Sequence, residues 1–262
     1  METNLVEPVV IYINEERKLH MENQLKPLPF SPLFFKGYTP ENSASYINYK
    51  DKEHPEKDTT LCCTRSHIGA LKYFLEHTDK QIALVLEDDV LFSKEFMSKL
   101  QHILDLWHKH ESEIDFINIG YLPGECKSKR NDDCLYWDLY VKDGSLWGAQ
   151  GYLMKRSVAE DIVRRFDQPN TQQLRIAVEA KIKENGRIYC PKYTRLQSDA
   201  IFGICWRQAF VKPIIIIESP VFYSSIMPQD CNSNTRSWNK AFQSGELKVD
   251  DFDSSCELYL LV

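Results

Sequence analysis

Residues 81–89 read Gln81-Ile82-Ala83-Leu84-Val85-Leu86-Glu87-Asp88-Asp89, an unbroken apolar run that stops at three carboxylates. A run this short and this apolar predicts a strand buried on both faces, as in the centre of a parallel sheet. The acids then sit at the strand's carboxyl end, where doubly wound sheets bind their ligands. Consecutive carboxylates repel. At an effective dielectric near 20, a pair about 4 Å apart costs on the order of 4 kcal/mol unless a cation intervenes. Strand alternation sends Glu87 and Asp89 to one side, where they could share Mg²⁺ or Mn²⁺, and leaves Asp88 for a sugar or ribose hydroxyl. The competing reading is a solvated acidic turn that leads into a helix capped by Ser93.

Outward from this stretch, strands and helices alternate. Upstream, Pro8 to Ile13 is β-branched and breaks at Asn14, and Ser31 to Gly37 repeats the pattern after a short helical stretch. Thr39 to Asp58 is polar and reads as a long loop of the kind that closes over ligands. From Asp58, Leu61, Ile68, Leu71 and Leu75 recur at helical spacing and carry Arg65, Ser66 and His67 in the first turns. Downstream, Phe96, Leu100, Ile103, Leu104 and Trp107 form a second helical stripe, and Asp115 to Gly120 returns as a strand. This alternation predicts an α/β fold with a doubly wound, mostly parallel sheet.

The C-terminal half is more irregular. Leu135 to Val141 reads as a strand and Gly144 to Gly151 as a glycine-bearing loop. Ser157 and Glu160 form a capping box for a helix ending at Phe166. Gln172 to Asn185 reads as helix, and Ile188 to Cys190 and Ile214 to Ile217 as short strands. Residues 1–228 form one domain on this reading, and 229–262 a wrapping or partly mobile tail whose Gln229 to Ser255 portion is polar. No internal repeat is present.

Charge and composition narrow the class. With 43% apolar and 27% charged residues the chain is globular, and its 32 basic against 38 acidic side chains, a net charge of −6, give no bulk attraction to nucleic acid or anionic membranes. Residues 1–8 are acidic and lack an apolar core, and no run is long enough for a membrane span, so a cytoplasmic protein is expected. The eight cysteines lack C-x-x-C spacing, so zinc is not expected and the thiols are read as reduced. Cys126 and Cys134, flanking a polar loop, could pair under oxidation.

Taken together, Cys63-Thr64-Arg65-Ser66-His67, a helix, and Ala83 through Val90 resemble the Cys-x-x-Ser-His and Leu-Glu-Asp-Asp pair of glycosyltransferase family 25. That family contains bacterial lipopolysaccharide glycosyltransferases and collagen hydroxylysine galactosyltransferases. Tyr12-Ile13-Asn14 with Arg17 is similar to the family's opening Ile-Asn-Leu and arginine, and Gly148 through Met154 resembles its Gly/Ala-Tyr-apolar segment. The matches run in family order from about Val9 to Gln197. Departures are Glu15 after Asn14, the short spacing to Arg17, and Thr60 and Cys62 where the family tends to have acid and glycine.

The resemblance implies a GT-A type nucleotide-sugar fold, a UDP-sugar donor, and Mn²⁺ or Mg²⁺ at an Asp-x-Asp-like site. It further implies inverting transfer of a hexose, galactose or glucose, to a hydroxyl of a glycan or protein acceptor. Asn14 and Arg17 would contact the nucleotide, Ser66 and His67 would support the diphosphate, and Glu87 and Asp89 would hold the metal. Gly151 and Tyr152 would line the donor site beside Asp88. Inversion also requires a carboxylate base, for which Glu179 and Asp199 are the candidates, Glu179 favoured. Simpler readings stand beside these: His67 as a hydrogen-bonded core histidine, Arg17 as a solvated helix residue, Tyr152 as core, Cys63 as packing, and Glu179 as the surface partner of Lys183. No histidine follows His110, so no late histidine ligand is available. A catalytically inactive sugar- or nucleotide-binding module of the same fold is the alternative function. A nucleotidyltransferase or phosphatase lacks the P-loop or aspartyl-phosphate signature it would need.

Overall fold

Val6–Tyr12 forms β1, which pairs in parallel with both β2 (Leu33–Lys36) and β3 (Ile82–Glu87). Strands flanked on both edges and covered on both faces must be apolar throughout. Val9, Val10 and residues 83–86 are accordingly wholly buried. The computed structural model describes residues 3–47, 58–93, 95–122, 147–186, 196–212, 215–218 and 257–260.

Helix α1 (Glu15–Leu25) connects β1 to β2, and a short α2 (Ala44–Ile47) followed by the long α3 (Asp58–His77) connects β2 to β3. Beyond β3 the chain forms β4 (Val90–Phe92), α4 (Phe96–Lys109), β5 (Phe116–Leu122) and β6 (Trp147–Lys155). It continues through α5 (Arg156–Phe166), α6 (Thr171–Glu184), α7 (Ser198–Cys205), β7 (Gln208–Lys212), β8 (Ile216–Glu218) and β9 (Glu257–Leu260). The main sheet has the order β2-β1-β3-β6-β5-β7-β9. Strands β1, β2, β3, β5 and β7 share one direction, and β6 and β9 run against it. The α/β class and the mostly parallel sheet are as the sequence predicts.

Period-two alternation divides the core in two. Val9, Ala83, Val85, Tyr152 and Met154 face one side with residues of α3, α5, α6 and α7. Val10, Leu84, Leu86, Ile117, Ile119 and Leu153 face the other with α1 and α4. A second, two-stranded sheet pairs β4 with β8, Val90 opposite Glu218. Ile216 of β8 lies over the main sheet where Gly120 pairs with Gly151. A Cβ on Gly120 would sit 3.0 Å from the Ile216 carbonyl oxygen, and one on Gly151 would sit 2.9 Å from Ile216 Cδ1. Two glycines therefore admit the crossing.

Several local expectations are corrected. Trp147–Lys155 is a central strand and not a loop, because its glycine at 151 serves that crossing. Ser93 does not cap α4. Its amide bonds the Ile215 carbonyl, and the helix follows Glu95, a non-glycine residue held in the left-handed region at φ 58°. The capping box at Ser157 does not form, since the helix already begins at Arg156, which pairs with Glu160 at 3.3 Å. Apart from these corrections, Glu257–Leu260, within the segment read as a wrapping or partly mobile tail, pairs with β7 as β9. Residues 48–57 of the expected long loop, the strands expected at Leu135 to Val141 and Ile188 to Cys190, Cys126 and Cys134, and Gln229 to Ser255 lie outside the described residues. Among the described residues no helix is long and apolar enough to cross a membrane.

Candidate active site at the carboxyl end of β3

Glu87 is the last residue of β3, and Asp88 and Asp89 turn the chain into β4. Strand alternation therefore ends at Glu87, and the three acids divide between two helices instead of pairing Glu87 with Asp89. Glu87 turns to the α3 side. Its Oε1 lies 3.2 Å from His67 Nε2, and His67 Nδ1 lies 3.1 Å from the Tyr152 hydroxyl. Burial, followed by the charges of Cys63 and Glu87, pushes the Tyr152 pKa well up, so its phenol stays protonated. With a neutral ring, the tautomer that satisfies both contacts accepts from Tyr152 at Nδ1 and donates from Nε2 to Glu87. His67 is 1% exposed, whereas the Glu87 side chain is 26% exposed, so the carboxylate is the end of the chain that meets solvent.

Asp88 and Asp89 turn to α1. Arg17 Nη1 donates to Asp88 Oδ1 at 2.8 Å and to Asp89 Oδ2 at 3.1 Å, and all three residues are buried. Asp88 Oδ2 also accepts from the Ile13 amide at 2.8 Å, which fastens the β3 turn to the end of β1. Asn14 caps α1, its Oδ1 accepting from the Arg17 amide at 3.0 Å, and so aims the arginine inward. Burial works against the guanidinium charge, but the hydrogen bond and charge of Asp88, then those of Asp89, leave the Arg17 pKa raised. Burial likewise pushes the Asp88 carboxyl up, and Arg17 and the Ile13 amide pull it partly back. Arg17 is therefore a buried counter-ion, not a solvated helix residue.

The other expected residues are placed as follows. Ser66 is buried. Its hydroxyl donates to the Cys62 carbonyl at 2.8 Å and accepts from the Tyr38 amide at 2.8 Å, tying α3 to the chain leaving β2. Gly151 meets Ile216, and Tyr152, 1% exposed, meets His67. Glu179 lies on α6 and pairs with Lys183 at 2.6 Å, four residues on, with its side chain 37% exposed. Asp199, in the first turn of α7, accepts from the Ala200 amide at 2.8 Å, and its neighbour Ser198 lies with Oγ 4.0 Å from the Cys63 sulfur. The structure thus gathers Glu87, His67 and Tyr152 about one point and Asn14, Arg17, Asp88 and Asp89 about an adjoining one, with Asp199 at the start of the helix that meets Cys63. Glu179 belongs to neither.

Two features escaped the sequence. Cys63 stands one helical turn before His67, and the ligand atoms of Cys63, His67 and Glu87 lie within 4.8 Å of one another. Gln150, 5% exposed, precedes the Gly151 that pairs with Leu86, and its Oε1 has no hydrogen-bond partner among the described residues. The i,i+4 spacing was the only signal for the first. The second had none beyond membership of the Gly148-to-Met154 segment.

The donor types are those a hard divalent ion takes: the carboxylates of Glu87 and Asp89 and the unsatisfied Gln150 carboxamide oxygen. Asp89, however, is turned to Arg17, so an ion shared with Glu87 requires Asp89 to leave that pair.

A family model described as "Glycosyltransferase family 25 (LPS biosynthesis protein)" matches residues 7–179, which takes in β1, α3, the three acids and β6 and stops short of Asp199. No curated protein sequence matches the chain. Among solved structures, the galactosyltransferase LgtC in complex with donor and acceptor sugar analogues is 10% identical, with 92% of this chain and 96% of that chain covered and a TM-score of 0.43. A197 from STIV is 13% identical, with 65% and 77% covered and a TM-score of 0.32. Likenesses of this degree say nothing about individual site residues.

Proposed function

Because the chain belongs to glycosyltransferase family 25, we propose that it transfers a hexose, galactose or glucose, from a UDP-sugar to a hydroxyl of a glycan or protein acceptor, with inversion at the anomeric carbon. The observation that supports this most directly is the convergence of Glu87, Asp88 and Asp89 at the carboxyl end of β3, held from one side by Arg17 and from the other by His67. That is the position at which an open α/β sheet offers a crevice to a nucleotide. The catalytic unit spans residues 1–228 in this proposal, with the tail wrapping back to add β9 to its sheet, and a cytoplasmic setting belongs to it.

Mn²⁺ or Mg²⁺ held by Glu87 and Asp89 would neutralise charge on the departing diphosphate. The protein's own contribution is positional. Arg17 offsets the charge of two buried aspartates and fixes them to α1, and Tyr152 and His67 fix Glu87 to α3. Between the candidate bases, Asp199 has the stronger support, because its neighbour Ser198 lies 4.0 Å from the Cys63 sulfur while Glu179 is committed to Lys183.

Isothermal titration with UDP, with and without Mn²⁺, combined with a screen of UDP-galactose and UDP-glucose for hydrolysis and transfer, tests the proposal. Metal-dependent UDP binding with donor turnover is expected. Binding without turnover indicates the inactive module, and an absence of both overturns the reading. Asp89→Asn keeps an oxygen acceptor for Arg17 and is expected to stay folded while turnover drops about 10²- to 10³-fold, the magnitude typical of losing one charge-stabilising group.

A further inference from the structure

We propose that Cys63, His67 and Glu87 together bind a borderline transition-metal ion of the Zn²⁺ or Co²⁺ type. The site goes beyond the donor's hard cation, since it requires a thiolate and does not involve Asp89.

Cys63 and His67 occupy positions i and i+4 of α3, so both side chains lie on the face turned to the sheet, and β3 delivers Glu87 to the same point. Zn²⁺ binds sulfur at about 2.3 Å and nitrogen or oxygen at about 2.0–2.2 Å, so donors around a tetrahedral ion stand roughly 3.3–3.6 Å apart. The His67–Glu87 separation is already 3.2 Å, and no pair among the three ligand atoms exceeds 4.8 Å. A side-chain movement of about 1 Å at Cys63 closes the difference to the tetrahedral spacing. Mg²⁺ has no use for a thiolate, whereas sulfur, imidazole and carboxylate together suit Zn²⁺ and Co²⁺.

The surroundings support the same assignment. His67 Nδ1 faces the buried Tyr152 hydroxyl, which is the outer partner that a ligating imidazole requires at its second nitrogen. Burial first, then the charges of Glu87 and Asp199, push the Cys63 thiol pKa well up, so the sulfur is protonated until an ion displaces its proton. On binding, the Cys63 S–H proton leaves to solvent and the sulfur lone pair forms the metal bond. The imidazole proton moves to Nδ1 and bonds the Tyr152 oxygen, and Glu87 binds as the carboxylate, so one proton is released per ion. Three protein donors leave a fourth position for water. Glu87, the partly exposed member, provides the way in. Linear spacing could not reveal the site, because its third donor comes from another element.

Titration of the EDTA-stripped full-length chain with Co²⁺, followed by absorption, tests this. A thiolate-to-cobalt charge-transfer band saturating at one equivalent, with ligand-field bands of tetrahedral intensity, is expected, and Zn²⁺ should bleach both. Cys63→Ser should abolish the charge-transfer band and Cys62→Ser should keep it, with circular dichroism confirming that each variant is folded. Tyr152→Phe should weaken Co²⁺ binding about 10- to 100-fold, as loss of an outer-shell partner does. If Cys63→Ser does not fold, alkylation of Cys63 in the native protein replaces it: Zn²⁺ but not Mg²⁺ should slow the modification. Absence of the band, its survival in Cys63→Ser, or unprotected alkylation overturns the site. Asp89→Asn should retain the band whatever becomes of UDP binding, so failure here and failure of the glycosyl-transfer reading are separable.

Discussion

At the scale of single residues, the charge balance around Arg17 determines much of what the site can tolerate. Its guanidinium serves two buried carboxylates at once, and truncating one partner of a buried pair typically costs about 3–5 kcal/mol because the remaining charge is left uncompensated. Arg17→Met should lower the unfolding free energy by an amount in that range, measured by urea denaturation. Nothing in the spacing Asn14-x-x-Arg17 showed that the arginine points inward. The Asn14 cap, which depends on the helix starting at Glu15, is what turns it. The base assignment is tested at the same scale. Asp199→Asn should reduce kcat about 10²- to 10⁴-fold with donor affinity unchanged, the usual effect of losing a general base. Glu179→Gln should leave kcat within a factor of about two, since an exposed i,i+4 pair is worth only about 0.3–0.5 kcal/mol. The Glu179–Lys183 spacing was legible in the sequence as a surface couple. The position of Asp199 was not, because it depends on how α7 packs against α3.

At the scale of elements, strands whose periodicity is complete within themselves were readable, and those shaped by distant partners were not. The run through Leu86 and the stripe from Phe96 to Trp107 carry their own evidence, and β3 and α4 stand where they predict. β6 reads as a loop because glycine usually signals one. Its Gly151 instead answers to Ile216, which lies some sixty residues further along the chain, in β8. A Cβ at Gly120 has a backbone oxygen 3.0 Å away, and backbone in a packed core gives way less readily than a side-chain tip. Gly120→Ala should therefore destabilise by about 1–3 kcal/mol, the range for overpacking, as a lowered urea midpoint with unchanged slope.

At the scale of the whole molecule, one ion-pair network joins α5 to α6. Asp161 accepts from Arg165 at 2.7 Å and lies 3.8 Å from Lys181, while Arg165 and Lys181 also reach Glu184. Burial tends to raise the Asp161 pKa, but Arg165 and Lys181 outweigh it and hold the carboxyl below its ordinary 3.8. A depressed folded-state pKa contributes stability that is fully present above the unfolded value and is lost as pH falls through the folded one. The melting temperature should accordingly drop on acidification below about pH 4, and Asp161→Asn should flatten that acid limb while lowering the neutral-pH plateau.

The pairing of β9 with β7 has a consequence for synthesis. Residues 208–212 leave the ribosome well before residues 257–260, and at about 5–20 residues per second the delay is on the order of seconds. Throughout that interval the outer amides and carbonyls of β7 form an unprotected template for foreign strands. A nascent chain stalled before residue 257 should therefore recruit holdase chaperones, and one released intact should not.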